Sequence, residues 1–329
     1  MNEAHILSSV CSLAWNPNGQ TVAGSLTGVA GAAPNGMNAP NDVFLESPTT
    51  LLVAAGGNQV IQRWTTGNLN SGANIAGQNG GAGGANNQFR TPASVVVDAN
   101  GNLLVADSAN NRIQSWAPGA VVGTTIAGVG APAPNNAPPL GFPSSIVLGP
   151  NGQSFFVSDF LNHKVIQYFP NGVTAPVVVA GGNGQGNAPA QLNLPRGIFF
   201  DSASNSLIIA NSGSNNVIRW VLGQNIGTII GNGVQVGNAV QILANPTGVA
   251  LDSAGNLYVS NTLNNRIVLI KPGQIIGTVI IPGGAVAGAA TATSLNGPTG
   301  VKLDSQGNLY VVDTGRNRVQ LFACIRVPA

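Results

Sequence analysis

Charge is what this 329-residue chain has least of: Asp, Glu, Lys and Arg together make up 7%, against roughly a quarter in an average soluble domain. Twelve basic residues against ten acidic leave a net charge of +2 with no basic run. A phosphate-tracking surface needs clustered Lys and Arg, and Arg90, Arg196 and Lys302 alone cannot supply one, so no nucleic-acid partner is expected. Histidine, cysteine and glutamate occur twice each, as His5 and His163, Cys11 and Cys324, Glu3 and Glu46. A zinc-type centre needs three or four such ligands converging, so the chain is expected to hold no metal, no cofactor and no catalytic residue. Gly, Pro or Asn interrupts every apolar stretch before the ~18 residues of a membrane span, so no membrane insertion is expected. Residues 1–15 lack a basic start and a long apolar middle, and no signal peptide is read there. A sustained 3.6-residue apolar stripe, the mark of an amphipathic helix, is missing throughout.

In place of charge the chain has 45 Gly and 40 Asn, with 43% hydrophobic residues. These are arranged in a repeat. Six segments share one order: a proline, an apolar strand, a turn, a second apolar strand, a polar turn and a third strand. The prolines are Pro40, Pro92, Pro143, Pro195, Pro246 and Pro298, spaced by 52, 51, 52, 51 and 52 residues. The third strands close on Trp64, Trp116, Phe169, Trp220, Ile270 and Phe322, spaced by 52, 53, 51, 50 and 52. A fourth short strand follows each closing residue except the last, as in Thr124-Thr125-Ile126-Ala127. Four short antiparallel strands in every ~50 residues are the pattern of propeller blades. The expected fold is all-β, a six-bladed β-propeller of four-stranded antiparallel blades. It is read as a single domain over residues 1–329, with blades beginning near 39, 91, 142, 194, 245 and 297.

The repeat has recognisable wording. The elements P-x-G-V, D-x-x-G-N-L-Y-V and D-x-x-N-N-R-I-Q, clearest from Pro246 and from Pro298, resemble the NHL repeat. The resemblance spans about residues 36 to 323 and is specific in blades two, five and six. Blades one and three depart from it at the first turn, through Glu46-Ser47-Pro48-Thr49-Thr50 and Gly149-Pro150-Asn151-Gly152. It implies a rigid platform. NHL domains elsewhere bind proteins or RNA, and a related lyase group is enzymatic, so fold alone assigns no activity.

Ring closure is written at the two ends. The last copy stops after its third strand at Phe322, while Gly19-Gln20-Thr21-Val22-Ala23-Gly24 matches Gly123 to Gly128 of blade two. A strand at about residues 20–25 is therefore expected to complete blade six, with Trp15 preceding it as Trp116 precedes its own. Cys11 and Cys324 fall at this seam. A bond between them closes a loop worth about 5–6 kcal/mol as an upper figure in the chain-entropy model. The alternative is two buried free thiols; placement at the ends of a ring that must close favours the disulfide. That bond would place the protein in an oxidising compartment, extracellular or periplasmic.

Most recurring charges belong to the repeat. Asp98, Asp201, Asp252 and Asp304 stand at first turns, where a carboxylate accepts backbone N–H groups. Asp107, Asp159 and Asp313 stand five residues before Arg112, Lys164 and Arg318. In blade one the same two positions are Ala55 and Val60, in blade four Asn211 and Asn216, in blade five Asn261 and Arg266. Their shared variation argues that the positions touch, as surface ion pairs worth about 0–1 kcal/mol each.

Subtracting the repeat leaves a short list. Asp42 and Arg196 lie just past blade prolines, where innermost strands should reach one rim of the central channel. Lys302 replaces Phe44, Val96, Val147, Phe199 and Ala250 at its position. Phe160 and His163 depart from the second-turn pattern in blade three. Asp42, Arg196 and Lys302 are the candidate binding residues, and they contain no general acid–base couple. The expected function is a non-catalytic scaffold recognising a protein or carbohydrate partner through one face, as a monomer or homo-oligomer. The alternatives are a self-assembling structural subunit, or an enzyme of the lactonase or amidating-lyase type.

Overall fold

The computed structural model describes residues 11–31, 34–77, 81–131, 139–170, 174–232, 243–283 and 290–326; Glu3 and His5 lie outside them. Six four-stranded antiparallel sheets are arranged as the blades of a propeller. Their innermost strands are Pro40–Ser47, Pro92–Val97, Pro143–Leu148, Pro195–Asp201, Pro246–Leu251 and Pro298–Leu303. Each opens on the repeat proline, which has no N–H to give a ladder and is tolerated at the first residue of a strand. Among the described residues, helix is limited to three-residue turns such as Ser108–Asn110.

Both faces of every blade are buried, so the second strands read as near-continuous apolar runs rather than as alternations. Leu51 and Val53 face blade six, whereas Leu52 and Ala54 face blade two. The apolar residues gather into six clusters, one between each pair of neighbouring blades. The residues closing the third strands fill them, aromatic in every blade but the fifth, which has Ile270, with Trp64, Trp116 and Trp220 almost wholly enclosed. In blade three that position is held by Tyr168, not Phe169: the pairing Phe155↔Tyr168 matches Leu103↔Trp116 in blade two. Two adjacent aromatics hid a one-residue offset that only the strand register resolves.

Gln20–Gly24 pairs antiparallel with Arg318–Phe322 and completes blade six. Beyond it, Cys11–Trp15 and Cys324–Arg326 form an additional two-stranded ribbon, which the repeat does not foreshadow. Cys11 and Cys324 are disulfide-bonded across it, their Cα atoms 5.7 Å apart. Trp15 therefore is not the counterpart of Trp116. Phe322 holds that place, and Trp15 stands edge-on to Tyr258 at 5.5 Å, its indole N–H donating to the Gly307 carbonyl.

Polar side chains stitch the blades at the end of the channel where the innermost strands begin. The carbonyl of each repeat proline accepts a hydrogen bond from the preceding blade: from Asn41, Ser108, Ser144, Ser212, Thr262 and Thr314 in turn. A second set comes from the left-handed residue ending each second turn. Gln59, Asn111, His163, Asn215, Asn265 and Asn317, all at positive φ, accept the N–H of the residue before the next proline. Asn is favoured there because it tolerates this backbone and carries an amide oxygen of the right reach.

The Asp–Arg pairs belong to the same stitching, and they are not surface pairs. Asp107, Asp159 and Asp313 are fully enclosed, with Arg112, Lys164 and Arg318 at 2.7, 3.7 and 2.8 Å. Their second task is to accept a backbone N–H, from Arg90, Gly141 and Asn296. Asn211 and Asn261 do the same as neutral amides, and in blade one Asn58 substitutes for Ala55. Burial pushes the carboxyls of Asp107, Asp159 and Asp313 up, against the downward pull of these hydrogen bonds and the nearby cations. A buried pair of this kind fixes geometry and adds little net stability, but removing one partner strands the other charge.

Candidate functional site

The three charged departures from the repeat meet in one place. Asp42, Arg196 and Lys302 line a cavity of about 200 Å³ at the mouth of the central channel, together with Phe142, Ser144 and Thr247. Innermost strands carry all of them but Phe142, which directly precedes one, so a residue one, two or four places after a repeat proline is delivered to the axis from any blade.

Asp42 is committed. Its Oδ2 accepts from the Ser94 hydroxyl at 2.7 Å, and its Oδ1 accepts the Val43 N–H and lies 3.6 Å from the Lys302 ammonium. The carboxylate thus ties blades one, two and six. Gly300 makes this approach feasible, because a Cβ there would stand 3.1 Å from Asp42 Oδ1 and 3.3 Å from its Cα. Lys302, the lone cation among apolar equivalents, is accounted for by this pair.

Arg196 is different. The ion pairs among the described residues leave it without a carboxylate. Its guanidinium carbon lies 4.7 Å from the centroid of the Phe160 ring, a cation–π contact. Its Nε–H is enclosed with no acceptor, and burial pulls the guanidinium's pKa down. Phe160 in turn packs at 6.0 Å against Phe142 at the cavity wall.

Phe160 is the residue that subtraction from the repeat did not bring to the channel. It occupies the first place of the second turn, held by Gly56, Ser108, Ser212, Thr262 and Thr314 in the other blades. Four of those donate a hydroxyl to the next proline carbonyl. In blade three that hydroxyl is gone, and Ser144 bonds the Pro195 carbonyl while Ser158 bonds that of Arg196. The available signal was a coupled departure: the one blade with an aromatic at this turn precedes the one blade with an arginine after its proline. His163, by contrast, is structural. Its Nδ1 accepts the Leu194 N–H at 3.0 Å, the role that amide side chains play elsewhere.

The chain's relatives follow from this architecture. The sequence profile of the NHL repeat matches residues 89–115, 243–268 and 295–322, which lie in blades two, five and six. No curated protein matches the sequence. Among solved structures, an auxiliary nutrient binding protein from Bacteroides ovatus superposes with a TM-score of 0.64 at 13% identity, over 93% of this chain and 76% of its own. A gluconolactonase from Xanthomonas campestris gives 0.60 at 12%, over 88% and 87%. A catalytically inactive virginiamycin B lyase from Staphylococcus aureus, solved with quinupristin, gives 0.53 at 14%, over 87% and 80%. At such identities the likeness is one of fold, and it includes both binding proteins and enzymes.

Proposed function

We propose that this six-bladed NHL-repeat propeller is a binding module that catalyses nothing and takes a protein or glycan partner at the channel mouth. The observation that carries the reading is the convergence of Asp42, Arg196 and Lys302, drawn from blades one, four and six, on one cavity. Loops and strand ends on a rigid ring are where recognition residues are usually placed. The single carboxylate of the trio is held by Lys302 and Ser94, so it is poorly placed to serve as a general base. The disulfide supports an oxidising compartment, extracellular or periplasmic, as the place of work. Among the described residues no helix is long and apolar enough to cross a membrane.

The enzyme reading is favoured by the likeness to a gluconolactonase and a virginiamycin B lyase. One experiment separates the two. Wild type and an R196Q/K302Q variant are screened on glycan and peptide arrays, and in parallel for turnover of quinupristin and of sugar lactones. Binding that is specific in wild type and lost in the variant, with its thermal midpoint kept, supports the module. Turnover by wild type that the variant lacks overturns it.

A further inference from the structure

We propose that the channel mouth is a receptor for the carboxylate of a small organic acid, held by the Arg196 guanidinium with the acid's flat apolar body against Phe142. The inference goes beyond the binding-module reading, which names a protein or glycan: it gives the same mouth a small ligand of stated chemistry.

Arg196 has no hydrogen-bonding task that the ring requires. At the five equivalent positions stand Asn41, Ala93, Ser144, Thr247 and Thr299, and four of these donate hydrogen bonds across a blade seam. The hydrogen bonds at the two seams flanking Arg196 are made without its side chain, by Ser144 and Ser158 on one side and Ser212 on the other. What remains is a guanidinium drawn largely out of water and lying on one aromatic face. A buried cation carries a desolvation penalty that only a partner charge or hydrogen-bond acceptors offset. An enclosed N–H with no acceptor is a second unmet demand on the same group. A carboxylate in the cavity supplies the partner charge, and the planar fork of Arg matches its two oxygens.

The surroundings restrict what can carry that carboxylate. Asp42 neutralises Lys302, so the mouth keeps one net positive charge and suits a monoanion. The cavity, about 200 Å³, is smaller than the ~300–1,000 Å³ of sites for drug-sized ligands. One ring or a short chain fits. Phe142, braced by Phe160, offers an aromatic wall beside the cation.

Benzoate is the probe, with benzamide as its uncharged counterpart and inorganic phosphate as the competing oxyanion. Binding is followed by calorimetry and by the NMR signal of the Arg196 Nε–H. Saturable benzoate binding that shifts this signal, no binding of benzamide, and weakening by about tenfold or more in R196Q are the expected results. Should R196Q fail to fold, R196K takes its place, keeping the charge while losing the fork, and is expected to weaken binding several-fold. Absence of saturable benzoate binding to folded wild type, or affinity unchanged by the substitution, overturns the proposal. Phosphate binding as tightly as benzoate through Arg196 overturns the carboxylate assignment. A negative benzoate result leaves the array screen of the binding module intact, whereas turnover in that screen would sink the module without touching the benzoate measurement.

Discussion

The backbone N–H of Leu194 donates to Nδ1 of His163 at 3.0 Å, so an imidazole holds the seam between blades three and four that amide oxygens hold elsewhere. Nδ1 can accept only while it is unprotonated. Burial lowers the pKa of His163, and the nearby Asp159 carboxylate opposes this weakly.

A pH dependence follows. With the folded pKa below the unfolded value near 6.5, the unfolded chain binds more protons in the window between them, and stability rises with pH there. The contribution of His163 is complete above about pH 6.5 and is lost as pH falls toward the folded pKa. His163→Asn is expected to remove this slope and to leave stability at pH 7.5 within about 0.5 kcal/mol of wild type. Denaturant titrations of both proteins between pH 5 and 8 read it.

The buried pair Asp313–Arg318 gives a prediction about non-additivity. Arg318 binds Asp313 and, through Nη2, the carbonyls of Thr291 and Ser294 at 2.8 Å each. Arg318→Met strands an enclosed carboxylate and is expected to cost about 3–5 kcal/mol. Blade four holds the same two positions as Asn211 and Asn216, bonded to each other at 3.0 Å. Changing Asp313 and Arg318 together to Asn is therefore expected to cost less than Arg318→Met alone. A double-mutant cycle by chemical denaturation checks the coupling.

Ring closure can be tested through the cysteines. The unreduced protein, unfolded in denaturant, is expected to show no free thiol. Cys11→Ser with Cys324→Ser removes a closure worth at most about 5–6 kcal/mol; the loss should be smaller, because strand Gln20–Gly24 still pairs with Arg318–Phe322. Amide exchange should rise first in that outer strand of blade six, while the other blades keep their protection.

The proline period, the four-strand unit, the N-terminal closing strand and the pairing of the two cysteines were all legible in the sequence. Strand, turn and blade proline are set by local chemistry, and repetition multiplies a weak local signal sixfold. The delivery of Asp42, Arg196 and Lys302 to the channel rim was legible too, since a ring brings the innermost strand of every blade to one axis. Other features were decided only by packing of segments remote in the chain. The position of Tyr168 is a matter of register between strands, to which two neighbouring aromatics gave no clue. The enclosure of Asp107 and Asp313 depends on the loop that folds over each hairpin end, so their pairs read as superficial until Arg112 and Arg318 were seen bonding that loop's carbonyls. Phe160 and Arg196 lie in different blades, and their contact exists because neighbouring blades meet face to face at the channel mouth. Local sequence marked each of them as a departure; only the closed ring, by taking water away from Arg196 and leaving its Nε–H without an acceptor, made the two departures into one site.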